Sequence, residues 1–170
     1  MGRDPFEMLV SSHHSEIYRF LRRVTGRRDI AEDLCQETFL RAFRAYKTKD
    51  VEGNPRAWLF VIATNLARNH ARSERRAGRA KEVLAARIAD RACGDGDTSS
   101  HDLQESLHRA VLELPPKQRL AFMLRKVHDS DYGLIASCLK CSRESARANV
   151  FQALKALRRR LNRAIRKSVL

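Results

Sequence analysis

Apolar residues recur at helical spacing through most of this 170-residue chain, and no stretch alternates between apolar and polar residues as a half-buried strand would. The spacing predicts a first helix from about Ser15, a second over Asp29–Phe43 and a third that begins at Asn54-Pro55. Pro115-Pro116 breaks a later helical block, because proline cannot continue a helix but fits its first turn. The chain is therefore predicted to be all-α.

The helical pattern lapses between two blocks. From Ala77 to Ser100 the apolar stripe disappears, and this stretch ends in CGDGDTSS. We therefore expect two small helical domains, residues 1–77 and 101–170, joined by a flexible linker, residues 78–100. Domains of this size cannot bury a large core.

The overall charge is strongly basic. Lys and Arg outnumber Asp and Glu by 34 to 20, and the formal net charge is +14. Arginine-rich surfaces suit phosphate contacts, so a nucleic-acid partner is predicted, although a membrane-surface protein could share this charge. No apolar run is long enough to span a bilayer, and the N-terminus MGRDPFEMLV does not resemble a signal peptide. These features predict no membrane insertion and a cytoplasmic location.

One helical segment, DIAEDLCQETFLRAF from Asp29 to Phe43, is acidic. Asp29 followed by Glu32 predicts a capping-box start. A stripe at every fourth residue is expected to face the core: Ile30, Leu34, Thr38, Ala42 and Tyr46, widened by Cys35, Phe39 and Phe43. The opposite side would present Glu32, Asp33, Gln36, Glu37, Arg41 and Arg44 to solvent. An ordinary solvated face is one interpretation; in so basic a chain, a protein-binding face is the other.

The third helix has a polar face opposite its core stripe. Asn65, Arg68, Asn69 and Arg72 are spaced at i, i+3, i+4 and i+7, so they are predicted to point one way. Such a face can place amides on bases and guanidinium groups on phosphates. It is a candidate DNA-binding surface, with plain solvated surface as the alternative.

The second block contains a helix-turn-helix pattern. Asp131–Leu139 would be the supporting helix, Lys140–Ser142 the turn with Ser142 as N-cap, and Arg143–Leu157 the recognition helix. The inward positions are predicted to be Ile135, Ala136, Leu139, Ala146, Val150, Leu154 and Leu157. The side chains left free to enter a major groove are Arg143, Ser145, Arg147, Asn149 and Gln152.

Cys138 and Cys141 form a lone CxxC. A zinc site needs four ligands, and no second CxxC or ligand-spaced His pair accompanies this one. We predict no metal and no cofactor, with the two cysteines as small apolar packing groups and the scattered histidines at the surface or its boundary. A thiol-dependent enzyme is the rival class, but no catalytic set accompanies the cysteines, so the protein is not expected to be an enzyme.

Three segments resemble conserved regions of bacterial sigma factors, in the same order. The acidic segment resembles the core-polymerase-binding segment, RAWLFVIATNLARNHARSERR resembles the promoter −10 helix, and LPPKQRLAFMLR resembles the entry to the region that reads the −35 element. The matching positions are Asp29, Ala31, Glu32, Asp33, Leu34, Gln36, Glu37, Phe39 and Arg41, then Trp58, Leu59, Ile62, Ala63, Asn65 and Asn69. The short length resembles the extracytoplasmic-function (ECF) type.

The resemblance implies a transcription-initiation factor. Core RNA polymerase would bind Asp29, Glu32, Asp33, Gln36, Glu37 and Arg41. The third helix would read the −10 element of promoter DNA, with Asn65 near the opened strand, and the helix-turn-helix the −35 element. An anti-sigma factor is implied as a further partner. The alternative is a stand-alone helix-turn-helix regulator that binds duplex DNA, which the acidic segment argues against.

The second block also departs from the family pattern. The usual G-x-[ST]-Y-x-E-I-A reads DSDYGLIA over residues 129–136, and the common G-T-V-[KR]-S-R reads ESARAN over residues 144–149. Asn149 stands where the family often has Arg, and Glu144 adds a negative charge. No −35 sequence can therefore be carried over from the family.

Overall fold

The computed structural model describes residues 4–46, 54–80 and 98–168. Within them the chain forms seven helices and no strand, which confirms the all-α prediction. The helices are α1 Pro5–Thr25, α2 Arg28–Tyr46, α3 Pro55–Ala80, α4 Thr98–Leu112, α5 Pro116–Lys126, α6 Tyr132–Leu139 and α7 Arg143–Ser168. We call α1–α3 the first module and α4–α7 the second.

Helix α1 begins earlier than the sequence pattern predicted, at Pro5 rather than Ser15. The Asp4 carboxylate accepts the Phe6 N–H at 2.9 Å and caps the first turn. The Phe6 ring is buried, with its centroid 5.1 Å from that of Phe43 and 5.5 Å from that of Tyr46. The extra turns are therefore held by packing against the far end of α2, which a local pattern does not show.

The capping box predicted at Asp29 is wrong. Gly26 ends α1 in the left-handed conformation, with φ +72°, and α2 already starts at Arg28. Only two residues separate the helices, so Asp29 falls inside the first turn, where its carboxylate accepts from Arg27 Nε at 3.2 Å.

The start of α3 is as predicted, since the Ala57 N–H donates to the Asn54 side chain at 3.1 Å. The helix continues to Ala80, three residues past the boundary expected at 77. Residues 81–97, which make up most of the predicted linker, lie outside the described part of the chain.

The helix-turn-helix forms as predicted. Asp131 caps α6 by accepting the Leu134 N–H at 2.9 Å, and Ser142 caps α7 by accepting the Ser145 N–H at 3.1 Å. Lys140 makes the turn in the left-handed conformation, with φ 50°. Helix α7 runs beyond Leu157 to Ser168.

The prediction that Leu154 points inward is wrong. Its side chain is 39% exposed, whereas Val150, Ala153 and Leu157 are buried. Successive helical residues are rotated by about 100°, so the buried stripe passes through Ala153 and leaves the next position at its edge.

The two modules pack against each other, which the sequence did not predict. Their buried side chains form one continuous hydrophobic cluster. Helix α3 lies against α6, and α1 lies against α4 and α5. At one such contact, Leu112 of α4 occupies the space next to Gly26 where a Cβ atom would come within 2.7 Å of it. Glycine therefore serves two needs at this position, positive φ and close approach.

Candidate protein- and nucleic-acid-binding surfaces

The predicted polymerase-binding residues share the outer side of α2. Asp29, Glu32, Asp33, Gln36 and Arg41 are exposed and Glu37 is half-buried. Ion pairs run along this face, with Arg28 Nε 2.8 Å from Glu32 and Arg41 Nε 2.6 Å from Glu37. Hydrogen bonding from Arg27 holds the pKa of Asp29 below its usual range. The face therefore carries both positive and negative charges, whereas the sequence pattern indicated a mainly acidic one.

A largely apolar groove lies beside these charges, between α1 and α2. Its volume is about 620 Å³, and its lining includes Phe6, Val10, Tyr18, Phe39, Leu40 and Phe43, with Glu32 and Gln36 at one side. Leu40 is 43% exposed and Phe43 36% exposed. Sequence reasoning assigned Phe43 to the core and did not single out Leu40. An apolar groove bordered by polar groups is typical of a protein-docking surface.

The predicted DNA face of α3 is divided between two environments. Asn69 and Arg72 are exposed, but Asn65 and Arg68 are half-buried at the boundary with the second module. Arg68 donates to the Leu139 carbonyl at 2.8 Å and to the Asn65 side chain at 3.3 Å. The four residues therefore do not form a single open surface.

A second stripe on α3 explains this division. Phe60, Thr64 and Arg68 lie four residues apart and face the second module. The Phe60 ring centroid is 4.9 Å from that of His128, and the Thr64 hydroxyl lies beside the Cys138 thiol. Arg68 completes the stripe through its bond to Leu139.

A polar cluster joins the modules at His128, which is only 7% exposed. Arg56 binds Glu16 with both Nε and Nη2, the shortest contact being 2.6 Å, and Nη2 also donates to the His128 carbonyl at 3.0 Å. The Glu16 carboxylate lies 3.3 Å from His128 Nδ1. We call Glu16, Arg56 and His128 the latch.

Burial and charge set the protonation of the latch. Desolvation lowers the pKa of His128, although the neighbouring Glu16 opposes this. Hydrogen bonding from Arg56 lowers the pKa of Glu16. The expectation that the histidines lie at the surface or its boundary is therefore wrong for His128. Nothing in the local pattern identifies the latch, because its members lie 40 to 112 residues apart.

Arg119 of α5 makes a further contact across the boundary. Its Nη1 donates to the Val24 carbonyl at 2.7 Å, and Nη2 donates to the Leu112 and Leu114 carbonyls. Burial lowers the pKa of this guanidinium. Sequence reasoning did not assign Arg119 a role.

On α7 the predicted groove-reading residues lie on the surface. Arg143, Ser145, Arg147 and Gln152 are exposed, and Asn149 is half-buried. The Asn149 amide donates to the Ser145 carbonyl at 2.8 Å. The Arg147 guanidinium lies 5.3 Å from the centre of the Tyr132 ring, a cation–π distance. This face is thus open, with two of its side chains already held by local contacts.

The cysteines are packing groups where the structure describes them. Cys138 is fully buried and Cys141 is half-buried. Burial raises the pKa of the Cys138 thiol to about 11, and that of Cys35 likewise to about 11. Among the described residues, no three His, Cys, Asp or Glu side chains are grouped as a metal site would require. Every described helix is also too short or too polar to cross a membrane.

Family comparisons match both modules. The sigma-70 region 2 family model matches residues 9–77, and the sigma-70 region 4 model matches residues 104–157. The first match spans α1–α3 and the second contains the helix-turn-helix.

Two proteins similar to this chain are named as ECF sigma factors. The ECF RNA polymerase sigma-E factor of Haemophilus influenzae is 29% identical over 157 residues, which cover 87% of this chain and 82% of that protein. The ECF sigma factor SigW of Bacillus subtilis is 26% identical, with 94% and 90% covered.

Two solved structures share the fold. The sigma factor RpoE of Bartonella quintana, solved in complex with the anti-sigma factor NepR, has a TM-score of 0.76 and 24% identity, covering 92% of this chain and 96% of that one. CnrH, solved with the cytosolic domain of CnrY, has a TM-score of 0.67 and 20% identity, covering 92% and 87%. With region 2 and region 4 matched in order and ECF factors similar over nearly the whole chain, the protein belongs to the ECF-type sigma factors.

Proposed function

We propose that this ECF sigma factor binds core RNA polymerase through the outer side of α2 and the adjoining apolar groove. The observation that carries the proposal is the exposure of Leu40 and Phe43 beside an ion-paired face. DNA would gain little from apolar side chains next to carboxylates, whereas a protein helix could bury them. The contact residues would be Asp29, Glu32, Asp33, Gln36, Glu37 and Arg41.

The two modules would then divide promoter recognition. Residues 1–77 would form the polymerase- and −10-binding domain, residues 78–100 the linker, and residues 101–170 the −35-binding domain. Arg143, Ser145, Arg147, Asn149 and Gln152 on α7 would contact the −35 duplex, and Asn65, Arg68, Asn69 and Arg72 on α3 the −10 region. The exposed N-terminal half of α7 supports this, since helix-turn-helix proteins read base edges with that part of the recognition helix.

Charge reversal on α2 tests the polymerase contact. The double variant Asp33→Lys with Glu37→Lys should lose binding to core polymerase while circular dichroism shows unchanged helicity, because both side chains lie on the outer side of the helix. Glu105→Lys is the matched control, since Glu105 pairs with Arg109 four residues later, as Glu37 does with Arg41. Unaltered retention of core polymerase by the double variant in a pull-down would reject the assignment.

Run-off transcription separates this function from a helix-turn-helix regulator that binds duplex DNA alone. With core polymerase and a promoter library, the chain should direct specific transcripts and contribute no catalysis of its own. A regulator would bind duplex sites with or without core polymerase and would start no transcript.

We also propose that the protein acts in the cytoplasm, where polymerase and promoter DNA are found. We further propose that an anti-sigma protein is one of its partners. The support for an anti-sigma partner is the likeness in fold to RpoE, which was solved with the anti-sigma factor NepR, and to CnrH, which was solved with the cytosolic domain of CnrY. Purification of the tagged chain from unstressed cells should recover a stoichiometric inhibitor. Recovery of only free or polymerase-bound chain, with constant activity under all conditions, would contradict this.

A further inference from the structure

Two arginines of α7, Arg143 and Arg147, lie against the first residues of α6. We propose that Tyr132 and Gly133 are positioning residues for promoter recognition: Tyr132 fixes the guanidinium plane of Arg147, and Gly133 leaves the space in which the Arg143 guanidinium lies. Both arginines would then reach the major groove already oriented. The inference rests on the proposed function, since it takes α7 as the helix that reads the −35 duplex.

The Tyr132 ring contacts two guanidinium groups. Its centre lies 5.1 Å from that of Arg125 on α5 and 5.3 Å from that of Arg147 on α7, within the range of cation–π interactions. The ring is half-buried and packs against the hydrophobic core. Arg125 is itself held, because it donates to the Ser130 carbonyl at 3.3 Å. Tyr132 therefore offers Arg147 a surface whose position is fixed by the second module.

Stacking on a ring leaves the hydrogen-bond donors of an arginine free. The contact uses the flat face of the guanidinium, whereas its N–H groups lie in the plane. A guanine edge in the major groove has two acceptors, and an arginine must present two N–H groups together to bind both. Because the plane of Arg147 is set before binding, less side-chain freedom is lost on the duplex. The stack should therefore increase discrimination between base pairs.

Gly133 is a glycine that the backbone conformation does not require. It lies in the first turn of α6, and its φ is not in the left-handed region as that of Gly26 is. Glycine also weakens a helix relative to alanine. An added Cβ would come within 2.9 Å of Arg143 Nη2 and 2.8 Å of Asp131 Oδ1. The space of the missing side chain is thus occupied by the end of Arg143.

Asp131 borders the same space. Its carboxylate caps α6 by accepting the Leu134 N–H at 2.9 Å. Hydrogen bonds from the Leu134 and Gly133 N–H groups lower the pKa of Asp131, and so do the charges of Arg143 and Arg125. The ionised carboxylate attracts the Arg143 guanidinium, although solvent screens this attraction at an exposed site. The space beside Gly133 therefore remains the main constraint on where Arg143 lies.

The two positioning residues should act on different base pairs. Arg143 and Arg147 are one helical turn apart, so about 6 Å separates them along α7. This is close to the length of about two base-pair steps of B-DNA. Each arginine can therefore read its own base pair, and the loss of one positioning residue should affect only one of them.

Base discrimination by the full chain bound to core polymerase tests the role of Tyr132. A duplex library randomised over the upstream element gives the affinity ratio between preferred and other base pairs at each position. Arg143→Ala and Arg147→Ala identify the base pair that each arginine reads. Tyr132→Leu, which keeps an apolar side chain against the core, should reduce the ratio about two- to fivefold at the Arg147 base pair only, as expected for an exposed cation–π contact. Tyr132→Phe keeps the ring and should retain the ratio.

Gly133→Ala tests the second role. It should reduce the ratio about threefold at the Arg143 base pair only, because the added Cβ displaces the end of that side chain. The thermal midpoint should change little, because alanine favours the helix and offsets any weakening of the Asp131 cap. Gly78→Ala on α3 is the matched control, since no atom in the described part of the chain lies within 4 Å of its added Cβ. Equal ratios in the two alanine variants would overturn the role of Gly133.

Double-mutant cycles test whether both residues act through the arginines. Tyr132→Leu should not change the ratio further in an Arg147→Ala background, nor should Gly133→Ala in an Arg143→Ala background. Losses that add in both cycles, or a parental ratio in Tyr132→Leu, would overturn the proposal and leave α7 as the reading helix. If Arg143→Ala and Arg147→Ala themselves leave the ratio unchanged, the proposed −35 role of α7 is rejected, and the positioning roles with it.

Discussion

The two helices predicted to read DNA, α3 and α7, differ in what surrounds them. On α7, Arg143 and Arg147 lie on open surface, whereas on α3 Arg68 donates to a carbonyl of the second module. Both faces look alike in sequence, as polar and basic residues opposite an apolar stripe. Such a pattern therefore identifies a candidate face but does not show whether that face is free.

The difference follows from where each helix lies in the fold. Helix α3 contacts α1 and α2 on one side and α5 and α6 on the other, so part of its polar face meets a second partner. Helix α7 packs against α4, α5 and α6 and directs the other side of its first turns away from them. Helix α3 is therefore covered by other helices on two sides, whereas α7 is covered on one side.

The largest expected effect is on α7, whose polar face is open. Arg147→Ala should reduce preference for the upstream element by about 5- to 150-fold, because a good side-chain to base pair is worth roughly 1 to 3 kcal/mol. Asn149→Ala should have a smaller effect, since its amide already donates to Ser145. Electrophoretic mobility shifts with specific and scrambled duplexes measure both, with exposed Arg159→Ala as the control. An equal loss on Arg68→Ala would contradict the comparison.

The next effect concerns the polar face of α3. Asn65→Ala and Asn69→Ala should leave binding to the upstream element unchanged but reduce open complexes about tenfold, by loss of contacts worth about 1.4 kcal/mol. Permanganate reactivity of unpaired thymines measures strand opening. If these variants lose duplex binding as Arg147→Ala does, and strand opening recovers with excess protein, the division between the two helices is wrong and the helix-turn-helix regulator becomes the better interpretation.

Acidification should weaken the contact between the two modules. The polar face of α3 would then become more accessible, as that of α7 already is. Burial, Arg56 and Arg23 lower the pKa of His128 while Glu16 raises it, and the net shift is downward. His108 on α4 shifts the same way, through burial and the arginines of α1. A lowered histidine pKa means that the packed modules favour the neutral form of His128. The contact between the modules is therefore favoured above the ordinary histidine pKa of about 6.5 and weakens as the pH falls below it.

The ratio of the alkylation rates of Cys138 and Cys35, in a Cys93→Ser, Cys141→Ser background between pH 7.5 and 5.5, measures how far the modules separate. Burial raises the pKa of both thiols to about 11, so the ratio removes their common dependence on the thiolate fraction. We expect the ratio to rise on acidification, because protonation of His128 weakens the contact between the modules. His128→Gln should flatten most of the rise. A ratio that falls at low pH would show that protonated His128 strengthens its pair with Glu16 instead.

The smallest effect separates two arginines near the end of α7. Arg158 is exposed, whereas Arg160 donates to the Ala110 carbonyl at 3.2 Å and pairs with Glu113 at 2.6 Å. Arg158→Ala should reduce the slope of log affinity against log salt by about 0.9, as for one phosphate contact, with the thermal midpoint unchanged. Arg160→Ala should also lower the thermal midpoint. Identical behaviour of the two variants would show that the Arg160 contacts contribute nothing to stability.

The helical architecture and several helix boundaries follow from local sequence. Asn54-Pro55 starts α3, Pro115-Pro116 separates α4 from α5, and Ser142 caps α7, each as predicted. These features depend on residues within one or two turns of one another, where capping and proline geometry act. The same is true of the three family-like segments, which were recognised from residues close together in the chain.

Which surfaces are free depends on contacts between residues that are distant in the sequence. The early start of α1 depends on Phe6 packing against Phe43, and His128 is packed against the rings of Phe20 and Phe60 beside Glu16. The members of these contacts are far apart in sequence, so neither helical period nor composition reports them. Whether Arg68 meets DNA or the Leu139 carbonyl is likewise a property of two packed modules, because Leu139 lies 71 residues further along the chain.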